Sequence, residues 1–152
     1  GELRNVISIA VAIIAAREIK PIETTTELKE AVARFLPKGS ENKVLAQIFQ
    51  SLRIEVNEEM KVLEIFLSQC ADVLKPGGRL VVMSYHSLED RLVKNFMKTG
   101  NADGNLEKDF FGNQLTPYKL MSSKPIVPSD DEIQINSRAR SAKLRVAERR
   151  DR

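Results

Sequence analysis

The sequence predicts an α/β fold, and three observations carry the prediction. Four successive segments place apolar residues at helical spacing; the period then breaks into one continuous apolar run, "RLVVM", behind a glycine turn; a further helical segment follows at once. Helix, tight turn, buried strand and helix make an αβα unit, a piece of a doubly wound sheet. With 152 residues and 42% hydrophobic content, the chain has enough for one compact domain and little more.

Glu2 to Lys20 reads as the first helix, closed by Pro21. Its run "VISIAVAIIAA", Val6 to Ala16, is too short to span a bilayer and is flanked by Arg4 and Arg17, so it reads as a buried helix. No small-residue cleavage site follows, which argues against a signal peptide. Thr24 and Glu27 form a capping box for a second helix (Leu28, Ala31, Val32, Phe35) that ends at "PKGS". A third helix carries Val44, Leu45, Ile48, Phe49 and Leu52 on one stripe, and the three helices are expected to pack together. After "RIEVN", Asn57 can cap a fourth helix with Met60, Leu63, Phe66, Leu67, Cys70, Val73 and Leu74 facing inward, stopped by "KPGG".

The valine-rich "RLVVM" fits a strand buried on both faces, as in a parallel sheet. A fifth helix follows (Leu88, Leu92, Val93, Phe96), with Ser87 as a candidate N-cap for a helix beginning at Leu88 and Asp90 at its third position. Thr99 to Thr116 reads as a long loop; "YKLM" and "KPIV" look like short strands; Ser129 with Glu132 forms a second capping box over a short helix. In "SAKLRVAE" alternation puts Ala142, Leu144 and Val146 on one face and Lys143 and Arg145 on the other, so it reads as a half-exposed strand.

Composition bounds the chemistry. A lone cysteine, Cys70, supports neither a disulfide framework nor a thiolate cluster, which points to a reducing, cytoplasmic compartment. Seven basic against two acidic residues from Arg138 to Arg152 give a local charge of +5, leaving −2 for the rest of a chain whose net charge is +3. Such a face suits a polyanion such as RNA, or serves as a solubilising tail. Ligands of open α/β sheets lie beyond the carboxyl ends of the strands, where "SYHSLEDR" falls, so Ser84, His86 and Ser87 would line a crevice. The serines, His86 and Asp90 are too close in sequence to converge as a hydrolase triad, and there is no G-x-S-x-G elbow. One histidine and one cysteine do not make a zinc site; a carboxylate magnesium site stays open, with nothing pointing to it. None of the seven glycines, Gly1 included, forms a phosphate-cradling loop, so a nucleotide-type cofactor has no evident site in this chain.

"PIETTTEL", "FQSLRIEVNEEM", "LKPGGRLVVMSYHSLEDRLVKNFM" and "SRARSAKLRVAER" together resemble the C-terminal half of the MraW/RsmH family. The family pattern usually has Phe where this chain has Tyr85. The resemblance implies an S-adenosylmethionine-dependent methyltransferase acting on N4 of a cytidine in 16S ribosomal RNA. It also implies an incomplete Rossmann-like core, residues 53–152, with part of a helical insertion, residues 1–52. The methyl-donor loop and ribose-binding acid of the family precede everything here, so no cofactor-binding residue and no metal ligand is assigned. A sequence beginning without methionine fits a fragment, inactive alone, whose uncovered sheet edges favour a homodimer or swapped oligomer. On the substrate side the matching positions are Glu55, Asn57, His86 and Asp90 as catalytic candidates. Arg53, Arg91, Arg138, Arg140, Lys143 and Arg145 are the expected RNA contacts, since arginine forks match phosphate oxygens. For Glu55 a salt bridge to Arg53, and for His86 a loop-organising hydrogen bond, are the competing structural roles. The alternative from another class is a non-catalytic RNA-binding or scaffold module without a cofactor site.

Overall fold

The computed structural model describes Leu3 and residues 5–151. Gly1, the expected helix start at Glu2, the flanking Arg4 and the last basic residue, Arg152, lie outside the described residues. The chain divides into two compact units, Gly1–Asn57 and Glu58–Arg152.

The first unit is helical: α1 (Val6–Ile19), α2 (Thr25–Val32) with a 3-10 turn at Ala33–Phe35, and α3 (Glu41–Val56). The capping box of α2 is present. Thr24 Oγ1 accepts the Glu27 N–H at 3.2 Å, and the Glu27 carboxylate accepts the Thr24 N–H at 3.0 Å. Lys20 reaches the same carboxylate at 2.7 Å, and that hydrogen bond, with those from the Glu23 and Thr24 backbone, holds Glu27 down at about 2. Ile9, Val32, Leu45 and Ile48 form one core cluster, so the three helices do pack together.

Two expectations fail here. α1 is not a buried helix: Ile9 and Ala12 are buried, whereas Ile7 and Ile19 are 81% and 90% exposed. Its neighbours in this unit cover only a stripe, and an all-round apolar helix needs more than that to disappear from water. Nor does "RIEVN" precede a helix cap. Arg53 to Val56 are the last turn of α3, Asn57 is its C-cap, and Glu58, at φ 49°, precedes the next helix. The asparagine terminates one helix where the sequence suggested that it starts another.

The second unit is a mixed helix and strand fold: α4 (Glu59–Val73), β1 (Arg79–Ser84), α5 (Ser87–Thr99), β2 (Tyr118–Leu120), α6 (Asp130–Ile135), a 3-10 turn at Ser137–Ser141, and β3 (Lys143–Arg149). The three strands lie in the order β1-β3-β2, and both pairings are antiparallel. The glycine turn is stitched to β3, with Gly77 N–H donating to the Arg149 carbonyl at 2.9 Å and Arg149 N–H to that of Gly78 at 2.8 Å. Leu67, Leu80, Val93, Phe96, Met97, Tyr118 and Ala147 form the core, drawn from α4, α5 and all three strands.

The strand "RLVVM" is therefore neither parallel nor buried on both faces. Leu80 and Ser84 are buried, but Val81 and Met83 are 54% and 53% exposed, because α4 and α5 join the core on the Leu80 side alone. In α4 Leu67 is buried and Leu63, Cys70 and Leu74 pack on the core, while Phe66 and Val73 point outward, against expectation. The faces of β3 are also reversed. Register sets Arg145 opposite Val82 and Ala147 opposite Leu80 on the helix-covered side, and Leu144 and Val146 opposite Met83 and Val81 on the other. The segment "KPIV" contributes a single bridge, Ile126 to Leu144.

The connection after α5 is tied down by side chains. Asn101 Oδ1 accepts the N–H groups of Gly104 and Asn105, and Asp109 accepts those of Phe111 and Asn113. Phe110 and Phe111 stand 99% and 86% exposed at the resulting turn, edge to face with each other.

Candidate functional site

The carboxyl end of β1 runs into a two-residue turn, Tyr85 and His86, and then into α5. The sequence pointed to Ser87 as N-cap; the cap is His86, whose Nδ1 accepts the Leu88 N–H at 3.3 Å. Ser87 is instead the first helical residue. The Glu89 carboxylate takes the Tyr85 N–H at 3.3 Å, so both ends of the turn are held by side chains of the motif itself. Ser84 is buried, directly opposite Lys143 in the register.

One turn into α5, Asp90 faces the sheet and meets two cations from β3. Arg145 Nε donates to its Oδ1 at 2.7 Å and Nη2 to its Oδ2 at 3.2 Å, a fork closed on both oxygens. Lys143 Nζ reaches Oδ2 at 3.3 Å. Burial pushes the Asp90 carboxyl up, but the hydrogen bonds and charge of Arg145, then of Lys143, outweigh it and hold the group below its ordinary value. The carboxylate is what allows Arg145 to lie on the covered face of β3 at 6% exposure.

Four expected site residues are thus brought together: His86 and Asp90 on α5's first turn, Lys143 and Arg145 on β3 beside it. Arg91 is exposed next to Asp90, and Arg138 and Arg140 are exposed on the 3-10 turn leading into β3. Arg145 is not the outward phosphate contact that the strand alternation suggested, since its guanidinium is buried against Asp90. Arg53, Glu55 and Asn57 belong to the other unit, exposed at the end of α3.

Two of the basic tail residues have structural partners that the sequence did not signal. Arg149 donates to the carbonyls of Ala71 and Pro117, at 2.9 and 3.2 Å, and Arg150 to that of Tyr118 at 3.0 Å. They stitch the end of β3 to α4 and β2; the +5 of the tail is only partly available to a polyanion. Among the described residues no group of three or more His, Cys, Asp or Glu side chains could hold a metal ion, and no helix is long and apolar enough to cross a membrane.

Comparison with known proteins gives the family. Residues 1–150 match the model of the MraW methylase family. The chain belongs to the MraW methylase family. It is 60% identical over 150 residues to the ribosomal RNA small subunit methyltransferase H of Flavobacterium psychrophilum, covering 99% of this chain and 51% of that protein. The proteins of the same name from Amoebophilus asiaticus and Bacteroides fragilis are 57% and 53% identical, over 98% and 99% of the chain and 48% and 49% of theirs. The chain spans about half the length of the curated relatives it matches.

S-adenosylmethionine, which the family implies, finds no cradle among the described residues of this MraW-family chain. The turn from β1 to α5 has no glycine, and its Tyr85 and Leu88 N–H groups are taken by Glu89 and His86.

Proposed function

We propose that this chain is the substrate-side part of an S-adenosylmethionine-dependent methyltransferase that modifies N4 of a cytidine in 16S ribosomal RNA, in the cytoplasm. The observation that carries the proposal is the ordered end of β1, where His86 and the Asp90 cluster stand, with exposed Arg91 on the same helix and exposed Arg138 and Arg140 on the turn leading into β3, in a chain of the MraW methylase family. Residues 1–52 are read as part of a helical insertion and residues 53–152 as the C-terminal part of a Rossmann-like core, although α3 runs on across that boundary to Val56.

The chemistry fits the surface. A cytidine in folded RNA must be drawn out of its stack for its exocyclic amine to meet a methyl donor, and a polar strand end is a place to hold the base. Cationic side chains fix the RNA backbone around it, a task for Arg91, Arg138 and Arg140, with Lys143, whose side chain is 41% exposed. Arg53, Glu55 and Asn57, at the end of α3, are kept as substrate-side candidates of the first unit. We assign binding of the methyl donor to parts of the full-length enzyme outside this span.

The test is calorimetric titration of the chain with S-adenosylmethionine and, separately, with a fragment of small-subunit ribosomal RNA. The expected result is binding of RNA and none of the donor. Stoichiometric donor binding would refute the division of labour, and absence of RNA binding would refute the substrate-side assignment.

A further inference from the structure

We propose that Arg145 and Asp90 form a strut that fixes the direction and tautomer of the His86 imidazole, so that His86 presents its Nε2–H as a hydrogen-bond donor at the carboxyl end of β1. Asp90 and His86 stand on the same first turn of α5. On the sheet side that turn is gripped by the Arg145 fork, at 2.7 and 3.2 Å. Beyond it, His86 Nδ1 accepts the Leu88 N–H. An imidazole nitrogen that accepts is the unprotonated one, so the proton of the neutral ring sits on Nε2. Nε2 has no partner among the described residues, and the ring is only half-buried. The group it meets must therefore bring an acceptor: a phosphate oxygen, or a ring nitrogen or carbonyl of a base.

The energetics favour positioning over stability as the reason for the pair. Burying two charges is costly, and an apolar pair of similar bulk commonly holds a helix to a sheet as well. Arg145 Nη1 is moreover buried with no partner among the described residues, an added cost. What apolar side chains do not supply is direction: a two-pronged fork on both carboxylate oxygens fixes the rotation of the helix turn as well as its distance. Arg145 is thus a positioning residue, acting through Asp90 and the turn on His86. That the acceptor belongs to RNA rests on the reading above; the tautomer does not.

The chain has a single histidine, so nitrogen-resolved NMR of a 15N-histidine sample reads its two ring nitrogens without overlap. In mildly alkaline buffer the expected result is one Nε2–H tautomer. Asp90→Leu combined with Arg145→Met is expected to leave a dispersed, folded spectrum but to turn the single tautomer into a mixture. Arg145→Lys, which keeps the charge and loses the fork, is expected to give intermediate shifts. An Nδ1–H tautomer in the unaltered protein, or unchanged ring shifts in the folded double variant, would overturn the strut. Unfolding of the double variant would overturn it too, by making the pair a stability element. Cytidine 5′-monophosphate and inorganic phosphate are then added in turn. A response of Nε2 to both assigns a phosphate acceptor, and a response to the nucleotide alone a base acceptor. A fixed tautomer with no response to either would keep the strut and count against the RNA reading.

Discussion

Replacing Asp90 by alanine removes the acceptor of three hydrogen bonds, and the two cations left behind do not suffer alike. The Lys143 side chain is 41% exposed and can turn into water, so its share of the loss is under about 1 kcal/mol. Arg145 is 6% exposed, and stranding a buried guanidinium without its partner costs about 3–5 kcal/mol. Against a typical domain stability of about 5–15 kcal/mol this is a severe lesion. Urea unfolding followed by circular dichroism, compared at equal denaturant dependence, reads it as a lowered midpoint. The same pair predicts an acid limb. The Asp90 carboxyl lies below its ordinary value in the folded protein, the cations outweighing burial, so its contribution is complete above the unfolded carboxylate pKa of about 3.9. It is lost as pH falls from there through the lower folded value. Stability of the unaltered protein should thus drop below about pH 4, and Asp90→Asn should flatten that drop. A loss under about 1 kcal/mol for Asp90→Ala at neutral pH would refute the argument that Arg145 depends on this carboxylate.

Tyr118→Phe removes a hydroxyl that is buried with no partner among the described residues, its pKa pushed up to about 12 by burial. The change is expected to be neutral or to stabilise by about 1 kcal/mol in the same urea assay, and a clear destabilisation would mean that the hydroxyl is bonded after all. Gly100 caps α5 at φ 83°, and a Cβ there would stand 2.8 Å from Pro117 Cδ, so Gly100→Ala should cost at least about 1 kcal/mol; an unchanged midpoint would contradict the turn geometry. Arg138→Ala and Arg140→Ala are each expected to lower the salt slope of RNA binding by about 1, and an unaltered slope would remove them from the interface. β1 has one strand partner among the described residues and exposes Val81 and Met83, so the chain is expected to self-associate; light scattering showing a dilution-stable monomer would refute this.

Local chemistry was legible residue by residue. The Thr24–Glu27 box and the "KPGG" stop depend on neighbours within a few positions and stand where the sequence put them; of the expected Ser129–Glu132 box only the serine half is made, Ser129 Oγ accepting the Glu132 N–H. Failures came where two local solutions competed. At the start of α5, Ser87 and His86 both carry acceptors suited to a helix N-terminus, and the chain uses the less common one. At "RIEVN", a residue fit for capping lies between two helices, and only the extent of α3 decides that it closes the first.

Facing is harder to read than element type, because it depends on what covers a strand. "RLVVM" is apolar on both faces although α4 and α5 cover only the Leu80 side, and "SAKLRVAE" has leucine and valine on the side they leave open, so alternation alone assigns the inside of β3 to the wrong face. What reverses β3 is one carboxylate 55 residues upstream of Arg145, which makes a charged position cheaper to bury than its hydropathy implies. The same contact turns the candidate site from a row of phosphate-seeking cations into a divided one. Arg138 and Arg140 remain in water for a polyanion, Lys143 is shared, and Arg145 is committed to the helix turn that carries His86. A basic stretch in a sequence is therefore a sum over residues with different duties, and the duties separate only when the acid that claims some of them is found.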